Sequence, residues 1–160
     1  MAFFSGYPLI YTITLFIAGS LKLKNDFSSK VVSLLPFAYA LIGTLFLGFE
    51  LKKLHPDFSI ENIKLVIPQP YLIIWGLFSI LFWIPAIGKR KGLSLIHSLV
   101  FVWFLVRDLF LQVTVSSADN NIIRNDIKIY INSILLNLVA LAVVVLISFL
   151  FTYYKKRLRS

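Results

Sequence analysis

Five uncharged or nearly uncharged apolar blocks recur along the chain, separated by short stretches that carry most of its charge. They cover 3–21, 31–49, 65–88 (of which 71–88 reads as the embedded part), 93–115 and 129–154. Each is close to the roughly 20 residues that carry a helix across a hydrocarbon core about 30 Å thick. A strand-based alternative fails. An open sheet leaves unpaired backbone groups in lipid, and the short alternating segments of an outer-membrane barrel are missing from the pattern. The pattern therefore predicts an all-α, polytopic transmembrane helix bundle over 1–160 as one domain, with five spans, or four if one block does not cross. The last block is long for a single crossing and must tilt or protrude.

Between the second and third blocks, Ile60, Ile63 and Ile67 share one helical face while Glu61, Asn62 and Lys64 point elsewhere. Asp57 or Ser59 can cap such a helix, and Pro68 and Pro70 stop it. This predicts either a short interfacial helix over 59–67 or a lead-in to the third span. Pro85 is expected to kink or end the third span.

Composition fits this picture. The 160 residues are 59% hydrophobic and 14% charged, against roughly 45–50% and about 25% in ordinary globular domains. The first block has no basic stretch before it and no small-residue cleavage site after it, so a retained span is expected rather than a signal peptide. The absence of cysteine excludes disulfides, thiolate nucleophiles, iron–sulfur clusters and cysteine-type zinc sites.

The net charge of +9 could indicate nucleic acid, but no nucleic-acid motif is present and the basic residues flank the apolar blocks. Lys22, Lys24, Lys30, Lys89, Arg90, Lys91, Lys155, Lys156, Arg157 and Arg159 fall on one side of a five-span arrangement. Lys52, Lys53, Lys64, Arg124 and Lys128 fall on the other. The positive-inside rule then puts the N-terminus outside and the C-terminus in the cytoplasm. An inner (cytoplasmic) membrane location and contact with anionic lipid head groups follow as expectations.

Candidate chemistry concentrates at the polar residues inside the blocks. Arg107 and Asp108 interrupt the fourth, and charges at membrane depth are usually paired, turned inward or functional. On a rise of about 1.5 Å per residue, Arg107 lies about 21 Å from the cytoplasmic start of its span, and Asn137 about 12 Å below the outer start of the fifth. With Glu50 slightly above them, and with Gln112 and Asn132, these residues form a candidate outer-leaflet polar cluster. Ser94, His97, Phe101, Phe104, Asp108 and Gln112 make one stripe on the fourth span. Tyr130, Ser133, Asn137, Ala140 and Ser148 make one on the fifth. Polar and small stripes usually face the bundle interior. The two spans are therefore expected to pack with Asp108 near Asn137, and Arg107 to reach Glu50 or snorkel to the head groups. A substrate, proton or lipid site and a structural pair that fixes helix packing both remain open.

His97 reads as a hydrogen-bonded interior or interfacial residue. His55 lies on the opposite side of the membrane and cannot share a metal with it. No phosphate loop, H-E-x-x-H, G-x-S-x-G or paired-aspartate protease motif occurs. No catalytic, cofactor-binding or metal-binding residue is therefore assigned, and no cofactor is expected. Trp75, Trp83 and Trp103 read as packing and interface anchors.

Two stretches resemble the DoxX-like family of small helical membrane proteins. One is Leu15-Phe16-Ile17-Ala18-Gly19-Ser20-Leu21-Lys22-Leu23. The other runs from His55-Pro56-Asp57-Phe58 through Ile67-Pro68-Gln69-Pro70 and Trp83-Ile84-Pro85 to Lys89-Arg90-Lys91. The resemblance implies a four-helix core and an accessory role beside respiratory or redox enzymes. The count of five spans departs from it, and it carries over no catalytic residue. The expected function is a small multi-pass membrane protein serving as a non-catalytic subunit of a larger complex, with a protein partner or further copies of itself in the membrane. The alternative is an oligomeric transporter or channel with a polar path in its outer half.

Overall fold

A computed structural model describes residues 3–20, 26–56, 58–59, 70–115 and 120–158, and every regular element among them is helical. A turn over 3–6 leads into α1 (Tyr7–Ser20), followed by α2 (Asp26–Leu54) and α3 (Pro70–Leu77). The chain then tightens into a 3₁₀ segment (Phe78–Trp83) before the single turn α4 (Pro85–Gly88), α5 (Lys91–Val115) and α6 (Asn120–Arg157). Three helical stretches, Ser28–Leu54, Gly92–Leu111 and Ile127–Arg157, are long and apolar enough to cross a membrane. Two further apolar helices, Tyr7–Gly19 and Pro70–Trp83, are shorter. Past Ser59, the interfacial helix expected at 59–67 lies outside the described residues.

The third block departs most from a uniform α-helix. Ile84 takes an extended conformation (φ −72°, ψ 120°) and Pro85 opens α4 rather than sitting inside a helix. The ring of a proline disfavours α geometry in the residue before it. The 3₁₀ segment upstream has its own logic. Its side chains eclipse every third residue, and the buried positions Gly76, Ser79 and Phe82 repeat at that spacing. A 3₁₀ turn also rises faster, so Pro70–Trp83 covers about 24 Å rather than the roughly 21 Å of an α-helix of equal length.

Packing follows a strict up-and-down order. Ring contacts of Phe3 with Phe49 and of Tyr7 with Tyr39 set α1 antiparallel to α2. Along the next interface Gly76 meets Phe46, Gly43 meets Ser79 and Phe82 meets Tyr39, so α3 and the 3₁₀ segment run antiparallel to α2. Tyr71 against Phe104 and Trp75 against His97 reverse the direction again for α5. The last helix lies mainly along α2, with fewer contacts to α5.

Lipid tails are as apolar as leucine, so the hydrophobic effect does not hold such helices together; close packing and interhelical hydrogen bonds do. The core accordingly consists of interlocked rings. Phe4 stacks on Phe101 with centroids 4.5 Å apart, and meets Tyr39 and Phe46 edge-on. Small residues permit close backbone approach at two points. A Cβ on Gly6 would lie 2.5 Å from the backbone nitrogen of Ile134, and one on Gly43 would overlap the Ser79 hydroxyl.

Candidate functional site

Two polar assemblies stand out, and neither is the one the sequence pattern suggests. The deeper one centres on His97. Its stripe on α5 does face inward: Ser94, His97 and Phe101 are buried, and Phe104 and Asp108 are half-buried. The His97 Nε2 lies 2.9 Å from the backbone carbonyl of Trp75, and Nδ1 lies 2.7 Å from the Tyr39 hydroxyl. A carbonyl only accepts, so Nε2 carries a proton. In the neutral ring Nδ1 is then the acceptor and Tyr39 the donor.

The Trp75 indole N–H donates in return to the His97 carbonyl at 3.2 Å. The two rings stack with centroids 4.7 Å apart and planes 6° from parallel. This reciprocal pair joins α3 to α5, and Tyr39 adds α2. Next to it, the hydroxyls of Tyr7 and Ser94 lie 2.8 Å apart and link α1 to α5. Tyr7, Tyr39, Trp75 and Ser94 therefore belong to the site around His97. Both ring nitrogens are engaged within the bundle, and the assembly ties four helices together.

The second assembly anchors the N-terminal turn on α6. The Gly6 N–H donates to the Ser133 hydroxyl at 2.9 Å. The Asn137 amide donates to the carbonyls of Phe3 and Ser133, each at 2.8 Å. Ser133, Asn137 and Ala140 are buried, as the stripe on the fifth span predicts. Their partner is different from the expected one. Because α6 packs along α2 and the N-terminal turn, Asn137 faces Phe3, giving one amide hydrogen to its carbonyl and the other to Ser133 on its own helix, rather than meeting Asp108.

Of the expected cluster, Glu50 and Asn137 both lie by the N-terminal turn, while among the described residues no bond joins either to Arg107 or Asp108. Glu50 is buried and pairs through Oε1 with Lys53 on its own helix at 2.8 Å, not with Arg107. Lys53 also lies 4.6 Å over the Phe49 ring. Arg107 is exposed and Asp108 half-buried, and among the described residues neither forms an ion pair. Asn132 is exposed. The side chain of Gln112 lies outside the described residues.

The rings of Phe4, Phe46 and Phe101 mark a common level. Above it Glu50 rises about 6 Å, Arg107 about 9 Å and the end of α2 at Leu54 about 12 Å. Arg107 and Asp108 therefore sit at about the level of the last two turns of α2. Three buried oxygens near the N-terminal turn, Ser5 Oγ, Glu50 Oε2 and Asn137 Oδ1, have no hydrogen-bond partner among the described residues.

No family model matches this chain, and neither the curated proteins nor the solved structures searched include a match to it.

Proposed function

We propose that the chain is a five-span inner-membrane protein, N-terminus outside and C-terminus cytoplasmic, that serves as a non-catalytic subunit of a larger membrane complex. The observation that carries this reading is the fate of the buried polar groups. Tyr7, Tyr39, Trp75, Ser94, His97, Ser133 and Asn137 bond across helices to one another or to backbone, so the interior's chemistry serves to hold the bundle together.

The alternating directions of α1, α2, α3, α5 and α6 support five crossings. The clustering of Lys30, Lys89, Arg90, Lys155 and Lys156 at one end supports the orientation. Arg107 and Asp108, which no described residue pairs, support a partner contact at the outer rim. An accessory role beside a redox enzyme, which the resemblance to DoxX-like proteins implies, is one specific form of this reading.

Extraction in mild detergent at native abundance tests it. A stoichiometric partner is expected to co-migrate, and a stable isolated monomer overturns the proposal. The transporter alternative draws on the oxygens of Glu50 and Asn137 that have no partner among the described residues. It requires flux in proteoliposomes that Asp108→Asn abolishes without loss of expression.

A further inference from the structure

At the basic end of the bundle, a groove of about 570 Å³ opens between α2, the 3₁₀ segment and α6. Leu34, Phe37, Trp83, Val144 and Phe151 form its apolar walls, and Lys155 joins the lining. The Thr152 hydroxyl bonds back to the Ser148 carbonyl at 2.9 Å, which removes it as a polar obstacle. On the other side of the α2–α6 seam a smaller recess shares Leu34, Ser148 and Thr152 and brings in Lys30.

Two features identify an occupant. The first is length. From Val144 to Lys155 the groove follows α6 for about 16 Å, the depth of one leaflet of a hydrocarbon core about 30 Å thick. The second is charge. Lys30, Lys89, Arg90, Lys155, Lys156 and Arg157 gather at this end against a single acid in the nearby sequence, Asp26. A ligand that fits both is amphipathic, with an acyl chain one leaflet long and an anionic head.

We propose that this groove binds an anionic phospholipid, its acyl chain lying between Phe37 and Phe151 and its phosphate at Lys155, with Lys30 across the α2–α6 seam adding to the positive field at that end. The proposal rests on the chain spanning a bilayer, not on the subunit role.

Trp83 lines the groove and reports its occupancy. The full chain is placed in phosphatidylcholine vesicles containing equal small fractions of either brominated phosphatidylglycerol or brominated phosphatidylcholine. The Trp83 signal is taken as the difference from Trp83→Phe. Quenching is expected to favour the phosphatidylglycerol. The preference should fall about fivefold for each lysine removed in Lys155→Gln and Lys30→Gln, and Lys155→Arg should retain it.

Equal quenching by the two lipids, or a preference that survives both lysine changes, overturns the proposal. So does a Trp83 shielded from both lipids while the exposed Trp103 is quenched, which would mean that a polypeptide fills the groove. Failure of either lipid to quench any tryptophan instead overturns the membrane reading on which the site depends.

Discussion

The Tyr39–His97 bond is the sharpest test of a bundle held together by its buried polar groups. Tyr39→Phe keeps the ring that packs on Phe4, Tyr7 and Phe82 and removes only the hydroxyl that serves Nδ1 of His97. Hydrogen bonds between membrane helices contribute on average about 0.6 kcal/mol and reach about 1.7. Three features put this one near the top of that range. Its 2.7 Å length is short, Tyr39 is fully buried, and His97 is already fixed by its reciprocal bond to Trp75.

The expected coupling is about 1.5 kcal/mol, roughly tenfold in the folding equilibrium. Tyr39→Phe alone leaves a buried acceptor unmatched, a loss of about 1–3 kcal/mol. His97→Phe keeps a ring against Trp75 but removes both of its bonds. The double variant, which leaves no orphaned partner in this pair, should be more stable than the sum of the singles predicts by that coupling. Unfolding in mixed micelles of increasing dodecyl sulfate, followed by tryptophan fluorescence, measures all four proteins. Additivity of the two singles within about 0.3 kcal/mol would refute the argument.

The anchor on α6 makes a steric prediction. Gly6→Ala should destabilise the protein by about 1–3 kcal/mol in the same assay, because the new Cβ meets the Ile134 backbone, whereas Gly48→Ala, with open space around it, should be close to neutral. Orientation is checked in the naturally cysteine-free chain. Lys128→Cys should react with an impermeant maleimide from the outer side of intact cells, and Lys156→Cys only after the membrane is opened.

The long apolar helices were legible in the sequence because a helix that meets lipid has to satisfy its own backbone, which imposes a length and an apolar composition on it. The inward faces of α5 and α6 were legible for a related reason: Ser94, His97 and Phe101, like Ser133, Asn137 and Ala140, repeat at helical spacing. What those faces meet was not. Asn137 can bond to any donor or acceptor at its depth, and only the packing of α6 along α2 selects Phe3. The 3₁₀ segment was obscured by its residues, which suit an α-helix equally well. Its trace in the sequence is the pair Gly76 and Ser79 three apart, ahead of Phe82. Tyr39 left a clearer signal. A phenol in the middle of an uncharged span requires a partner, and His97 is the nearby side chain with a free acceptor nitrogen.

Depth separates the two kinds of polar residue in this chain. Around His97 water cannot compensate a lost bond, so a group there persists only with a fixed partner inside the bundle, and Tyr39, Trp75 and Ser94 meet that demand. Arg107 and Asp108 lie beyond the ring contact between Phe104 and Tyr71, about one turn further out. At that level an arginine can reach head groups with its stem lying along apolar surface, and a half-buried carboxylate can be hydrated or met from outside. Their lack of an ion pair within the described chain is therefore inexpensive in the isolated bundle. Asp108→Asn should accordingly leave stability within about 0.5 kcal/mol of the parent while weakening retention of a partner. A large loss of stability would instead place Asp108 among the internal ties.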